Sequence, residues 1–379
     1  MSEPFRTDVI VVGGGIMGAA AAFFLRRRGK SVALIERALI GQQASGTNFG
    51  NVRRQGRFLP QLPLANRSRD IWGRLNELIG EDAEFLASGH LRVTYDDEMT
   101  ARIETYARDA LPYGLDLQII GGNRLRERFP FLGPEVRAGS YAPHDGHANP
   151  RLAAPAFGRA ARREGASVFE RTEIVAVERD AGMFRVEAAD GRVFRAEQLM
   201  IAAGAWGNRL SEQFGEPVPL VTHGPQMAVT EPIPYALEPV LGVSTTKLEE
   251  TVYFRQVKRG NIVIGGAARG PASADTQRAS VKPENTLLQF TQITRVVPAL
   301  ARLNIIRVWS GVESYLPDDI PIMGPSAKVP DLYYAFGFCG HGFQLGPGVG
   351  DVMAELISTG QTTTPIEPFS IARFASAPA

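Results

Sequence analysis

The sequence predicts an α/β protein of two domains, and three observations carry that prediction. Residues 8–36 read as strand, glycine turn, helix and strand, a parallel βαβ unit. Residues 166–205 and 251–270 alternate apolar and polar residues between glycine-containing turns, the pattern of half-buried antiparallel strands. A chain of 379 residues is long enough to bury a core for each.

Composition narrows the function classes. Lys and Arg number 41 against 40 Asp and Glu, a net charge of +1, which argues against nucleic acid as a partner. Hydrophobic content of 44% and charged content of 21% are those of an ordinary globular protein. The single cysteine permits neither an internal disulfide nor a Cys-ligated iron–sulfur cluster, and fits a cytoplasmic location. The opening residues lack the basic start of a signal peptide. The apolar run 9–25, followed by Arg26, Arg27 and Arg28, superficially resembles a membrane span, but it falls short of about 20 residues and its glycine spacing argues otherwise. No transmembrane segment is expected.

Asp8 to Val12 reads as a buried strand and Met17 to Arg28 as a helix, joined by Gly13, Gly15 and Gly18 in the pattern G-x-G-x-x-G. Gly13 permits the tight turn, Gly15 lets a pyrophosphate approach the backbone, and Gly18 lets the helix lie close to the sheet. Ile16 and Met17 begin the helix whose N-terminal N–H groups and dipole face the phosphates. The strand Ser31 to Ile35 ends at Glu36, followed by Arg37; an acid about 20 residues past the glycines accepts hydrogen bonds from ribose hydroxyls. Strand, helix and acid make the motif specific for a dinucleotide, without separating FAD from NAD. Further on, Asn149 reads as a helix N-cap, Pro150 as its first residue and Gly165 as its stop. Turns at Asp180–Gly182 and Asp190–Gly191 divide the alternating run, and Lys258–Gly260 closes a hairpin. Leu64 to Ile79 carries apolar residues at helical spacing and reads as a core helix.

Three segments carry a family resemblance. "GQQASGTNFGNVRRQGR" (41–57) resembles the flavin-contacting segment of the D-amino-acid oxidase and sarcosine oxidase superfamily; "MIAAGAWG" (200–207) resembles its third flavin strand, and "GFCGHGFQLGPGVGDVMAELISTG" (337–360) its C-terminal motif. Among its members the chain is most similar to the catalytic β-type subunits of opine and D-hydroxyproline dehydrogenases. The resemblance implies a Rossmann-like FAD-binding domain (1–85, 145–220 and 310–379) interleaved with an α+β substrate domain on a mixed or antiparallel sheet (86–144 and 221–309). It implies FAD contacts from Ala44, Ser45, Gly46, Asn48, Gly50, Asn51, Ile174, Val175, Ala203, Gly204 and Trp206, and from Gly340, His341, Gly342, Phe343 and Gln344.

"FCGHGF" poses the alternative of a Cys339/His341 catalytic pair. A nucleophilic thiolate needs a base and an orienting third group, whereas a free cysteine is usually a small buried hydrophobe. The glycines read better as a loop leading into a helix from about Gly348 to Ser358, with backbone N–H groups facing the pyrimidine end of the flavin. His144 and His147 have a spacing a metal uses, but no further cluster supports a metal site, and none is expected. His90 and His223 receive no chemistry.

An amino-acid substrate needs a cation for its carboxylate. D-amino-acid oxidases place an arginine where this chain has Gly340, and sarcosine oxidases a lysine where it has Gln344. That leaves Arg53, Arg54 and Arg57, with Arg255, to hold the carboxylate, Tyr253 as a pocket wall and His341 beside the site. The position of the sarcosine oxidase cysteine that binds flavin covalently matches Gly311, so non-covalent FAD is expected. Its oxygen-activating lysine matches Val263, so electrons are expected to pass to a non-oxygen acceptor, a partner subunit or carrier. The alternatives are an H2O2-forming glycine or sarcosine oxidase, and a flavin-binding relay subunit without its own substrate.

Overall fold

The computed structural model describes residues 3–375. The strand Phe5–Val12 is buried from Val9 onward and pairs in parallel with Val32–Ile35 on one side and Val193–Ile201 on the other. Ser167–Phe169 and Leu332–Phe336 extend the sheet in parallel at either side, and Ile322–Pro325 closes one edge antiparallel. The turns expected at Asp180–Gly182 and Asp190–Gly191 join Ile174–Asp180, Met183–Ala188 and Val193–Ile201 into an antiparallel flap on this sheet.

The second sheet runs in the order Ile305–Ser310, Val221–Pro232, Asn261–Ser273, Val252–Gln256, Val240–Val243, His90–Thr94, Ala138–Ala142 and Gln118–Gly121. Only Val240–Val243 against His90–Thr94 is parallel, so the sheet is mixed. Glu313–Tyr315 pairs with Val221–Pro232, which carries the second sheet beyond the boundary expected at residue 310.

Helix Ile16–Arg27 is short-chained on its packed side, with Ala19, Ala20, Ala21 and Ala22 fully buried. Against it lie Gly342–Thr359 and Pro150–Arg163, and Leu62–Gly73 packs in turn on Gly342–Thr359. Asn149 caps its helix by accepting from the Arg151 N–H at 3.1 Å. Arg26, at the C-terminal end of the first helix, donates to the Lys30 and Glu164 carbonyls, so one guanidinium serves two helix ends.

Two expected helices differ. Leu64 to Ile79 is two helices, Leu62–Gly73 and Leu75–Ile79, because Arg74 leaves the helical region at φ −122° and ψ 24° directly after a glycine. The C-terminal helix begins at Gly342, not near Gly348, and runs through Pro347. A proline there removes one ladder bond and crowds the preceding turn. The neighbouring helix repairs the damage: the Ser68 hydroxyl accepts from the Gly348 N–H at 3.0 Å and donates to the Gln344 carbonyl at 2.5 Å. The Trp72 indole donates to that same carbonyl at 2.9 Å. This side-chain insertion moves the helix start to where the site needs it. No helix among the described residues is long and apolar enough to cross a membrane.

Replacing Ser68 by alanine strands the buried Gly348 N–H. The expected loss is about 1–3 kcal/mol of unfolding free energy, read as a lower denaturation midpoint with an unchanged denaturant slope.

Candidate active site

A cavity of about 580 Å³ is walled by both sheets. Gly13, Gly15, Ile16 and Met17 border it at the first glycine turn, and Glu36 and Arg37 where the second strand ends. Ala44, Ser45, Asn48, Gly50 and Asn51 line it from the following loop, and Ile174, Ala203, Gly204 and Trp206 from the flap and the third parallel strand. Gly340, His341, Gly342, Phe343 and Gln344 line it at the start of the last helix. Gly18, Gly46 and Val175 stand outside the lining. A Cβ on Gly18 would lie 1.9 Å from the Gly13 carbonyl oxygen and one on Gly46 2.2 Å from that of Gly41, so both shape the backbone behind the wall. Val175 points outward and is 54% exposed.

The residues fit a dinucleotide. Glu36 Oε2 accepts from the Gly14 N–H at 2.7 Å and Oε1 from the Ala38 N–H at 2.8 Å, so the carboxylate first braces the turn itself. Ser45 Oγ accepts from the Ile16 N–H at 2.9 Å, pinning the loop to the helix N-terminus. The Arg37 guanidinium lies 3.5 Å from the centre of the Trp206 ring, a cation–π platform beside the glycine turn. Arg37 Nη2, Asn51 Oδ1 and Gln344 Oε1 are buried without a partner in the protein, as groups awaiting a polar ligand are. The first N–H groups of Gly342–Thr359 have no intrahelical partner and border the same cavity.

Cys339 is not paired with His341. Its Sγ accepts from the Leu316 N–H at 3.3 Å and donates to the Gly337 carbonyl at 3.1 Å, and burial pushes the thiol up to about 12. It takes φ +51° in the turn before the helix. The His341 ring is held neutral by burial and by Arg57 and Arg53 nearby. His147 binds Arg255 through Nδ1 at 3.2 Å, and no side-chain cluster suited to a metal occurs among the described residues. Gly311 leaves no room for a side chain: its Cβ would meet Thr47 Oγ1 at 2.0 Å.

The expected arginines separate into two kinds. Arg54 turns away from the cavity to Asp145, with Nε 2.9 Å from Oδ1, and Arg255 is buried behind the wall, donating to the Phe49 carbonyl at 2.9 Å. Neither borders the cavity, which corrects their expected substrate role. Arg53 and Arg57 do, with Tyr253. Arg57 Nε donates to the Arg53 carbonyl at 2.9 Å, Nη1 to Gln61 at 3.0 Å and Nη2 to the His341 carbonyl at 3.5 Å. Gln55 between them is anchored by His90 Nδ1 at 2.8 Å and by the Ser140 hydroxyl at 2.6 Å. Arg92 joins the pair. None of Arg53, Arg57 and Arg92 has a carboxylate partner within 4.0 Å among the described residues. Burial first, and then Arg53, pulls Arg57 down to about 9 and Arg92 to about 10. An anion bound between them removes that penalty.

Among the lining residues that escape a reading of the sequence alone are Arg92, Arg269 and Glu313. Arg92 sits between buried Leu91 and Val93, and its polarity in an apolar strand is the available signal. Arg269 lies 3.6 Å over the Tyr315 ring. Val263, expected beside the flavin, does not line the cavity; it packs with Phe49 and Met227, which do.

A glycine turn closed by an acidic strand end, and a second helix N-terminus on the same cavity, define a dinucleotide-dependent oxidoreductase. The chain belongs to the DAO family of FAD-dependent oxidoreductases, whose sequence profile matches residues 8–356. It is 28% identical over 377 residues to glycine oxidase of Geobacillus kaustophilus, covering 97% of each chain. It is 26% identical to an opine oxidase subunit of Agrobacterium tumefaciens, covering 98% of each. The crystal structure of L-proline dehydrogenase from P. horikoshii superposes with a TM-score of 0.90 at 28% identity, over 98% of this chain and 99% of that one.

Valine at Gly15 and at Gly18 should act differently. A Cβ at Gly15 meets nothing nearer than Ser45 Oγ at 3.1 Å, so Gly15→Val should yield folded but colourless protein, its branch filling the pyrophosphate's place. Gly18→Val drives a branch into backbone and should lower the melting temperature before any question of cofactor arises; flavin absorbance and circular dichroism separate the two.

Proposed function

We propose that the chain oxidises the C–N bond of an amino acid or secondary amine, of the D-amino-acid, D-hydroxyproline, opine or N-substituted glycine kind. Electrons then pass to an acceptor other than oxygen. The observation that carries the reading is the cluster of Arg53, Arg57 and Arg92, half-buried to buried at the cavity without carboxylate partners. A planar guanidinium fork matches a carboxylate bidentately, and a desolvated cation without its own counter-ion favours an anionic ligand. FAD, when bound, supplies the hydride acceptor at N5.

The protein's residues fix where substrate lies. Arg53, Arg57 and Arg92 hold the carboxylate. Tyr253, whose hydroxyl donates to the Gly266 carbonyl at 3.4 Å, stays a neutral wall, since burial pushes it up to about 12. His341, neutral and enclosed, adds no charge beside the amine. The helix N-terminus at Gly342 favours negative charge building up next to it.

The non-oxygen acceptor is supported by the cavity's cations, which are arginines throughout; no lysine lines it among the described residues. A relative described as a subunit supports an electron-accepting partner. FAD is held without a covalent bond, since the sole cysteine is engaged at Leu316 and Gly337.

Acid precipitation should release FAD to the supernatant; colour retained in the pellet contradicts non-covalent binding. Arg53→Met and Arg57→Met should each lower kcat/KM about 10- to 100-fold on an amino-acid substrate, mainly through KM. Arg54→Met should instead destabilise the fold by about 3–5 kcal/mol by leaving Asp145 buried and unpaired. After anaerobic reduction by substrate, stopped-flow mixing with air-saturated buffer should show reoxidation slower than dye-linked turnover. Reoxidation matching that turnover replaces the dehydrogenase reading with the H2O2-forming oxidase.

A further inference from the structure

The arginine cluster answers a carboxylate, and the same cavity offers a group for the other end of an amino acid. Glu313, on the short strand Glu313–Tyr315, borders the cavity. Its Oε1 accepts from the Gly340 N–H at 2.8 Å, which fixes the carboxylate's direction. Its Oε2 has one contact in the protein, the Tyr315 hydroxyl at 3.5 Å, at the limit of a hydrogen bond. Arg269 is within electrostatic reach but makes no ion pair with it, stacking over Tyr315. Glu313 is therefore an enclosed carboxylate with one oxygen braced and one open.

Its position relative to the arginines is fixed by consecutive residues. Gly340 gives its N–H to Glu313, and His341 receives Arg57 Nη2 on its carbonyl at 3.5 Å. The acidic and basic groups are thus tied to two neighbouring residues of one turn. Tyr253 is within electrostatic reach of Glu313, Arg269 and Arg53, so the acidic and basic groups share one wall.

We propose that Glu313 is the amine-binding residue of this cavity: Oε2 accepts an N–H of the protonated amine of an amino-acid substrate whose carboxylate lies on Arg53, Arg57 and Arg92, and takes that proton. The N–H bond breaks, its electron pair stays on nitrogen, and the proton forms an O–H bond on Oε2, leaving the free amine that oxidation requires. The substrate class is then an α-amino or α-imino acid bound as its zwitterion with at least one ammonium N–H. The proposal rests on the amino-acid reading above. Burial raises the Glu313 carboxyl above the usual range despite the Gly340 N–H and Arg269, so the protein alone under-compensates its charge and a bound cation completes it.

The test compares isosteres on the FAD-loaded protein, followed by perturbation of the flavin absorbance at equilibrium. Sarcosine and D-proline are the amine probes, read anaerobically as binding and reduction; methoxyacetate and tetrahydro-2-furoate replace the nitrogen by oxygen and keep the carboxylate. Wild type should bind the amines at least about tenfold more tightly than the ethers. Glu313→Gln keeps an acceptor for the Gly340 N–H, and its unperturbed flavin spectrum reports an intact site. It should lose most of that preference while holding the ethers as well as wild type or better. Equal loss for amines and ethers, or an unchanged preference, overturns the Glu313 assignment and leaves the arginine reading standing. Wild type that binds neither series fails the amino-acid reading, and Glu313's role falls with it.

Discussion

Where Ile16–Arg27 crosses Gly342–Thr359, the two helices meet almost without side chains. A Cβ on Gly350 would lie 2.4 Å from the Ala20 Cβ, and one on Gly346 2.5 Å from Ile16 Cγ2. This close crossing joins the two ends of the chain and sets both helix N-termini on one cavity, the first at the glycine turn and the last at Gly342. Each N-terminus brings orphan N–H groups and a positive dipole end. The cavity between them suits a long ligand with a negatively charged middle and an electron-accepting end. The glycines of the C-terminal motif thus work in packing as much as in contact, and Ser68 and Trp72 hold the proline-interrupted helix in place for it.

The second constraint is electrostatic. Residues 53 and 54 are both arginine, yet one is neutralised and the other is not. Arg54 is paired with fully buried Asp145, which also accepts from the Arg54 N–H at 2.8 Å. Arg53, one residue earlier, faces the cavity beside Arg57 and Arg92 without a carboxylate. Enclosing a charge without a counter-charge is unfavourable, and of the three adjoining guanidiniums Arg57 is buried while Arg53 and Arg92 are half-buried, so an anion between them offsets that cost. The Gln55–His90–Ser140 network keeps the loop from relieving that cost by moving away. Under the proposed reading, specificity for a carboxylate rests on this rigidity as well as on the charge.

The sequence made legible what depends on local rules. The glycine turn, Glu36, the Asn149 cap and the three hairpin turns each follow from a residue's own backbone or capping preference. The start of the C-terminal helix did not, because the bond that rescues Pro347 comes from Ser68, on a helix near the other end of the chain. The arginines were legible as a set and illegible as individuals. Nothing local to "NVRRQGR" says that Asp145 claims Arg54, or that Arg255 on a distant strand turns to Phe49 and His147. Arg92 and Glu313 were missed for the same reason. Each lies on an otherwise ordinary strand, and its meaning comes from a cavity wall that two sheets make together.

The choice of arginine over lysine throughout the cavity bears on the electron acceptor. A lysine ammonium is a compact, mobile point charge, able to swing toward an anion that forms briefly nearby; a guanidinium is planar, delocalised and tied down at several N–H groups. Here Arg57 is tied by three N–H bonds to Arg53, Gln61 and His341, and Arg269 lies over the Tyr315 ring. Under the proposed reading, the oxidised product keeps its carboxylate and so keeps the remaining arginine charge occupied after electrons have moved. Oxygen reduction in the cavity would then develop superoxide among cations that are occupied by the product or tied down by the protein. Phe49 and Met227, which line the cavity, add apolar surface and no cation there. On that reading, arginines that would secure the substrate would also withhold the charge that oxygen needs, in keeping with the proposed acceptor that takes its electrons without passing through superoxide.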